Sequence, residues 1–282
     1  MRGRNRLPVT PKKKNPRASL VTGQAWRLPF SGANDMWLVL CSTSDPAGLW
    51  AYQGLRQLGV APLELVTAES LADGTRWEHR LDDSGIHLKI TLPDGRMFCS
   101  SRIRGALNRL LGPSPEALRR GVPSDREYAQ AELFAFYLSW LNGLPGEVIN
   151  RPTPQGLSGR WFPLSEWVYR ASRAGLPTPA YRLNGRDAPD QGYQSLVPDG
   201  AVTLSLITLR GEVFGGLVPE GIKRACGRLA EEAGADILGV ELYSNGNYEW
   251  TFASATATPD LSRGGMPLLQ HLAQILTQGA QS

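Results

Sequence analysis

The sequence predicts an α/β fold that passes into an α+β fold, and three observations carry that expectation. Met36-Trp-Leu-Val-Leu-Cys-Ser42, a helical pattern and Leu63-Glu-Leu-Val66 succeed one another as strand, helix and strand, the unit that builds parallel sheets. From residue 201 the order changes to strand, turn, strand, helix, strand, turn, strand, which suits an antiparallel sheet with helices on one side. The chain has 282 residues, of which 41% are apolar, enough for one large core or two ordinary ones.

The elements follow in chain order. After the first apolar run, Ser44 and Asp45 supply helix-start side chains and Pro46 fits a first helical turn. Ala47, Leu49, Trp50, Leu55 and Leu58 give that helix an apolar face, and Gly59 ends it. Ile86-His-Leu-Lys-Ile-Thr-Leu92 alternates with a period of two; Pro93-Asp-Gly95 then turns the chain into residues 96–100, a hairpin. A long helix is expected over residues 125–142, capped by Ser124, with Asp125 and Glu127 at its positive end and Gly143 stopping it. A second helix is expected over 164–174. The last section predicts strands at 201–209, 212–217, 236–243 and 248–253, a helix at 222–233, and a closing helix at 267–277. A domain boundary is expected within 150–185.

Charge narrows the functional classes. Arg2, Arg4, Arg6, Lys12, Lys13, Lys14 and Arg17 place seven positive charges in the first 17 residues, so the rest of the chain carries 23 basic against 26 acidic groups. The globular part is therefore not basic, and a nucleic-acid groove is not expected. Residues 1–35 read as a solvated, disordered arm interrupted by Pro8, Pro11 and Pro16, and translation from Met36 would remove it. No apolar run reaches the ~20 residues that span a bilayer, and no signal-like apolar stretch follows the basic start, so a cytoplasmic protein is expected. Cys41, Cys99 and Cys226 are far apart and read as buried free thiols; His79, His87 and His271 lie singly on separate elements, without metal-ligand spacing.

Two segments stand out as ligand candidates. Asp260-Leu-Ser-Arg-Gly-Gly265 precedes a helix, where free amides can receive an anion or Asp260 can simply cap a tight turn. Ser42-Thr-Ser-Asp45 lies at the carboxyl end of the first strand, the usual ligand edge of an open α/β sheet, and also reads as an ordinary helix cap. Trp140, Trp161 and Trp167 are expected near the domain junction, lining a groove or packing it.

The motifs then resemble a known family. Asn150-Arg-Pro, followed by a helix and Ala174-Gly-Leu-Pro-Thr-Pro179, is similar to the boundary between the first and central domains of ATP-grasp carboxylate–amine ligases. Arg210-Gly-Glu-Val-Phe214 is similar to a short hairpin of that family. Gly239-Val-Glu-Leu242, Asn245-Gly246 and the stretch from Trp250 to Leu261 resemble its paired, metal-bearing strands. The likeness spans residues 36–265. It implies a pre-ATP-grasp-like α/β domain at 36–150, with a parallel sheet, and a reduced ATP-grasp-like α+β domain at 151–282.

The departures shape what the resemblance implies. The family's carboxylates and asparagine hold magnesium ions against ATP phosphates. Here the first acidic position matches Glu241, but the next two match Ser254 and Thr256. The family also grips phosphates with central-domain lysines, yet no lysine occurs between Lys89 and Lys223, and only about twenty residues separate Pro179 from Ala201. Arg182, Arg186 and Arg210 are the available cations, and a guanidinium fork does not substitute for an ammonium there. The expectation is a degenerate, non-catalytic ATP-grasp-like protein that binds a protein or peptide partner, with no cofactor and no metal. The alternative is a functioning peptide ligase with a divergent site, in which Glu241, Asp260, Arg263 and Arg210 hold ATP, magnesium or substrate.

Overall fold

A computed structural model describes residues 35–83, 85–114, 118–119, 122–181, 196–244, 246 and 249–278. The basic arm therefore lies outside the described residues, as do Arg182, Arg186 and Asn245. The β-α-β unit forms as expected: β1 (Met36–Cys41), α1 (Pro46–Gln57) and β2 (Leu63–Thr67), with β1 and β2 parallel. Asp45 caps α1 by accepting the Gly48 amide at 3.1 Å, and Pro46 fills the position where a missing N–H costs nothing.

A short helix, α2 (Ala68–Ala72), follows β2, closed by a reciprocal cap between Thr67 and Ser70. β4 (Gly85–Thr91) and β5 (Met97–Cys99) make the expected hairpin, but it is widened by β3 (Arg76–Asp82) into a three-stranded antiparallel sheet. β3 sets Trp77 and Leu81 on one face against charged residues on the other, but His79 stands between the two and only Trp77 packs on the core, so its alternation was too weak to mark a strand. β6 (Ile103–Asn108) and β7 (Glu147–Ile149) complete the parallel sheet in the order β2-β1-β6-β7. Between them runs α3 (Arg126–Asn142). Ser124 does not cap it: Ser124 lies in a 3-10 turn and donates its hydroxyl to Asp125, the residue at the cap position.

The second sheet, ordered β11-β10-β8-β9, contains β8 (Val202–Leu209), β9 (Glu212–Gly215), β10 (Ile237–Ser244) and β11 (Thr251–Thr256), all antiparallel. β9 is shorter, and β11 later, than the sequence suggested. The remaining helices are α4 (Leu164–Arg173), α5 (Glu220–Ala233) and α6 (Gly265–Gln278), the last preceded by a 3-10 turn at Leu261–Gly264. No described helix is long and apolar enough to cross a membrane.

Three cores set the layering. Leu38 and Leu40 on one face of β1 pack with Leu88, Ile90, Tyr137 and Trp140, so the small sheet and α3 cover that side. Val39 and Cys41 on the opposite face meet Ala51 and Leu55 of α1 and Leu268, Leu269 and Leu272 of α6. That same core holds Ile207, Leu209 and Ile237, so α1 and α6 lie between the two sheets and serve both. The far face of the second sheet, with Leu238, Val240 and Leu242, packs on α4 and α5 through Val168, Ala225 and Leu229. Two of the three tryptophans come together as expected: Trp161, 69% exposed, and Trp167, of the third core, line one cavity, while Trp140 belongs to the first core. Cys41 and Cys226 are buried free thiols as expected, while Cys99 is only half-buried.

Asn150 joins the halves. It follows β7 in a left-handed conformation (φ 56°), which asparagine tolerates better than most residues. Its side-chain amide donates to the carbonyls of Ile237 (3.0 Å) and Ala257 (2.8 Å), and its Oδ1 accepts from Ile237 N at 2.9 Å. Its own carbonyl accepts from Asn108 Nδ2 at 3.0 Å, and Asn108 reaches Leu157 O at 2.5 Å as well. Two buried amides thus tie β6, the segment after β7, and both β10 and the turn after β11.

Candidate functional site

The carboxyl edge of the parallel sheet opens into a cleft. The chain leaves β1 through Ser42 to Asp45, β2 through Ala68 and Glu69, and β6 through Arg109 to Ser114; these segments line a cavity of about 530 Å³. A second cavity of about 400 Å³ adjoins it, bounded by residues 155–162 and 255–258. Leu111 and Thr258 line both, so the two form one groove. Open α/β sheets place ligands at this edge.

The first cavity is built around a buried ion pair. Arg109 follows β6, is only 5% exposed in its side chain, and donates Nε and a terminal nitrogen to the two Asp45 oxygens at 2.7 and 3.0 Å. Burial pushes the Asp45 carboxyl up, but the hydrogen bonds and charge of Arg109, with the amides of Gly48 and Ala47, outweigh it and hold the carboxyl below its ordinary pKa. Glu69 accepts from Ser42 Oγ at 2.7 Å and Thr43 N at 3.0 Å. Burial opposes its ionisation too, and those hydrogen bonds prevail, so Glu69 is held ionised below the usual carboxylate range. Burial, then the Asp45 charge, pushes the neighbouring Cys41 thiol up to about 12, which makes it an inert packing group.

The second cavity takes its shape from the chain after β7. Ser158 donates to Leu110 O at 2.6 Å, and Thr153 and Gly156 exchange backbone bonds of 2.9 and 3.0 Å. Gly156 must be glycine, because a Cβ there would lie 2.4 Å from Gly159 O. Phe162 stands edge-on to Trp167 at 4.9 Å and under the Arg170 guanidinium at 4.2 Å. This fixes the base of the cavity, leaving Trp161 and Leu111 (76% exposed) at its mouth.

The structure distributes the sequence-selected residues over three places. Glu241, Ser254 and Thr256 share one face of the second sheet: Ser254 stands directly opposite Glu241 on β11, Ser205 opposite it on β8, and Thr256 opposite Gly239. Among the described residues the Glu241 side chain has no hydrogen-bond or ion-pair partner. This row offers one carboxylate among neutral hydroxyls, a donor set that does not suit a pair of magnesium ions bridging phosphates. Among the described residues no three histidine, cysteine, aspartate or glutamate side chains group as metal ligands.

Asp260 and Arg263 are exposed and pair at 3.4 Å. Asp260 Oδ1 accepts from both the amide (3.1 Å) and hydroxyl (2.7 Å) of Ser262, so its oxygen serves the local turn and not a free anion site. Arg210 is elsewhere. It occupies the turn between β8 and β9, in a left-handed conformation, and pairs with Glu147 of β7 and with Asp236 at 3.4 Å. It lies five residues, roughly 17 Å, along the strand from the Glu241 row, by the rise per residue. Its cation therefore joins the two halves and does not point to a phosphate beside Glu241.

The glycine and proline of the motif explain one another. A Cβ on Gly239 would come 2.5 Å from Pro259 Cβ, so the glycine lets the segment after β11 lie flat on β10. Gly239→Ala is expected to cost about 1 to 3 kcal/mol by overpacking and to lift residues 258–260 out of the groove wall. Chemical denaturation would measure the first effect.

The sequence missed the Arg109–Asp45 pair. Asp45 already had a satisfactory role as a cap, and a charged residue directly after a buried strand was the one available signal. His79, His87 and His271 face Ser139, Asp82 and Glu212 respectively, on different elements.

The chain matches no protein-family model and no curated protein. Solved structures do match. The macrocyclase MdnC bound with precursor peptide MdnA, from Microcystis aeruginosa MRC, is 11% identical with a TM-score of 0.63, covering 86% of this chain and 99% of that one. The ATP-grasp ligase PsnB complexed with minimal precursor, Mg and ADP is 14% identical, with a TM-score of 0.60, covering 87% and 98%. A Chryseobacterium gregarium RiPP-associated ATP-grasp ligase in complex with ADP and a leader and core peptide gives 10% identity and a TM-score of 0.60 over 86% and 97%. The chain therefore has an ATP-grasp-like fold, as the motifs implied.

Proposed function

We propose that this protein is a non-catalytic member of the ATP-grasp-like fold that binds a peptide, or a segment of a protein partner, along the groove. The observation that carries the reading is the register at Glu241. Serine stands opposite it on both neighbouring strands, where a phosphoryl-transfer centre needs further carboxylates to concentrate metal charge. Peptide as the ligand class draws support from the similar folds, which were solved with precursor or leader and core peptides bound. A groove lined by apolar side chains with a few oriented polar groups suits such a ligand.

Calorimetric titration with ATP and magnesium tests it. The expected result is no binding at millimolar nucleotide, unchanged in Glu241→Ala and Arg263→Ala. Nucleotide binding that both substitutions abolish would overturn the reading in favour of an ATP-dependent ligase. That second reading rests on Glu241 itself, a carboxylate with no partner among the described residues and thus available to a cation.

A further inference from the structure

The groove has a free sheet edge, an exposed apolar end and an acidic end. β11 is an edge strand, and hydrogen-bond parity identifies which of its groups point outward. Arg210 N donates to Asp236 O across the β8–β10 ladder, so even-numbered residues of β10 face β8, and Gly239, Glu241 and Tyr243 face β11. Their opposite residues, Thr256, Ser254 and Thr251, face inward. Phe252 and Ala255 therefore face out. Phe252 N donates to Pro177 O at 2.7 Å, which closes that part of the edge. Ala255 lines the second cavity, and among the described residues its N–H and C=O have no partner on that side.

Charge separates the two ends. In the first cavity the Arg109 cation is enclosed and matched by Asp45, so Glu69 is the uncompensated charge. Arg160 is the charged residue of the second cavity, beside Trp161 and Leu111. Resting on the peptide-binding reading above, we infer that the groove takes an extended peptide by strand addition at Ala255, with a lysine or arginine side chain at Glu69 and an apolar side chain against Trp161 and Leu111. Backbone pairing supplies affinity in this mode, and the flanking pockets supply selectivity. An acidic residue is rejected at the Glu69 end and accommodated only near Arg160.

Selection of random octapeptides on the full chain, followed by anisotropy titration of the labelled winners, tests the inference. Lysine and arginine are expected to be enriched at one position, a few residues from an aromatic or large aliphatic side chain. Glu69→Gln should weaken the winners by about three- to fivefold, the scale of one partly exposed charge pair, and abolish the basic preference in a repeated selection. Trp161→Ala should abolish the apolar preference and keep the basic one. Glu220→Gln, on the exposed face of α5, should change neither. Peptides bound without a basic preference, or with one that survives Glu69→Gln, overturn this inference and leave peptide binding standing. Failure to select any peptide overturns both.

Discussion

Asn150→Ala is expected to lower stability by about 3 to 4 kcal/mol. Three groups, the buried N–H and C=O of Ile237 and the part-buried C=O of Ala257, lose their partner together. The two Ile237 groups stay buried without replacement, so their loss follows the desolvation scale and not the smaller net value of an exchanged hydrogen bond. Alanine also carries its Cβ into the left-handed region at φ 56°. Asn150→Gly removes that strain but not the lost bonds, so it should recover only about 1 kcal/mol. Thermal melting checks the pair: a drop of roughly 10 °C is expected for alanine, with glycine between it and the parent. Equal midpoints for alanine and the parent would sink the account.

Arg109→Met is expected to cost about 3 kcal/mol or more at neutral pH, because it strands the Asp45 carboxylate in the protein interior. The pH dependence separates this from lost packing. In the parent the Asp45 pKa is depressed, so its contribution is present above the unfolded value of about 4 and disappears as the pH falls through the folded value. Without Arg109 burial acts alone and raises the carboxyl, which then takes up a proton more readily in the folded state than in the unfolded one. The gap between variant and parent should be widest at neutral pH and narrow below pH about 4. Denaturant midpoints at pH 7 and pH 3.5 measure this; a gap independent of pH would assign the loss to shape alone. Asp45→Asn with Arg109→Met should recover part of the stability, since no charge is then left without a partner.

Much of the fold was legible because burial on a regular element leaves a period in the sequence. Residues 36–66 announced a β-α-β unit through one continuous apolar run, a capped helix and a second run, and residues 201–277 did the same for the second sheet and its helices. β3 was invisible because Trp77 is its one side chain packed on the core and the rest of the strand is polar or exposed. β6 escaped notice because Arg104 and Gly105 interrupt its apolar run, and β7 because Glu147–Ile149 is only three residues long.

The joints were hardest to read. Asn108 and Asn150 are buried polar residues whose side-chain N–H groups donate to carbonyls 42 or more positions away, and no local pattern marks such a residue as interior. Asn150 was noticed only as part of a motif, which gave its position but not its task. Arg210 was selected for its charge and proved to be engaged with Glu147 and Asp236. The Glu241 row was legible as a set of residue types; that serines flank the glutamate on both sides depends on strand register, which required the structure.

The position of α6 bears on how the chain must be made. The face of the parallel sheet that carries Val39, Cys41 and Leu107 is closed by Leu268, Leu269, Leu272 and Leu276, residues of the last described helix. A ribosome adding ~5 to 20 residues per second reaches them roughly ten to thirty seconds after finishing β6. Throughout that interval the nascent sheet lacks one wall of its interior. Translation speed over the second half of the message, and any chaperone that shelters the emerging chain, should accordingly influence its soluble yield.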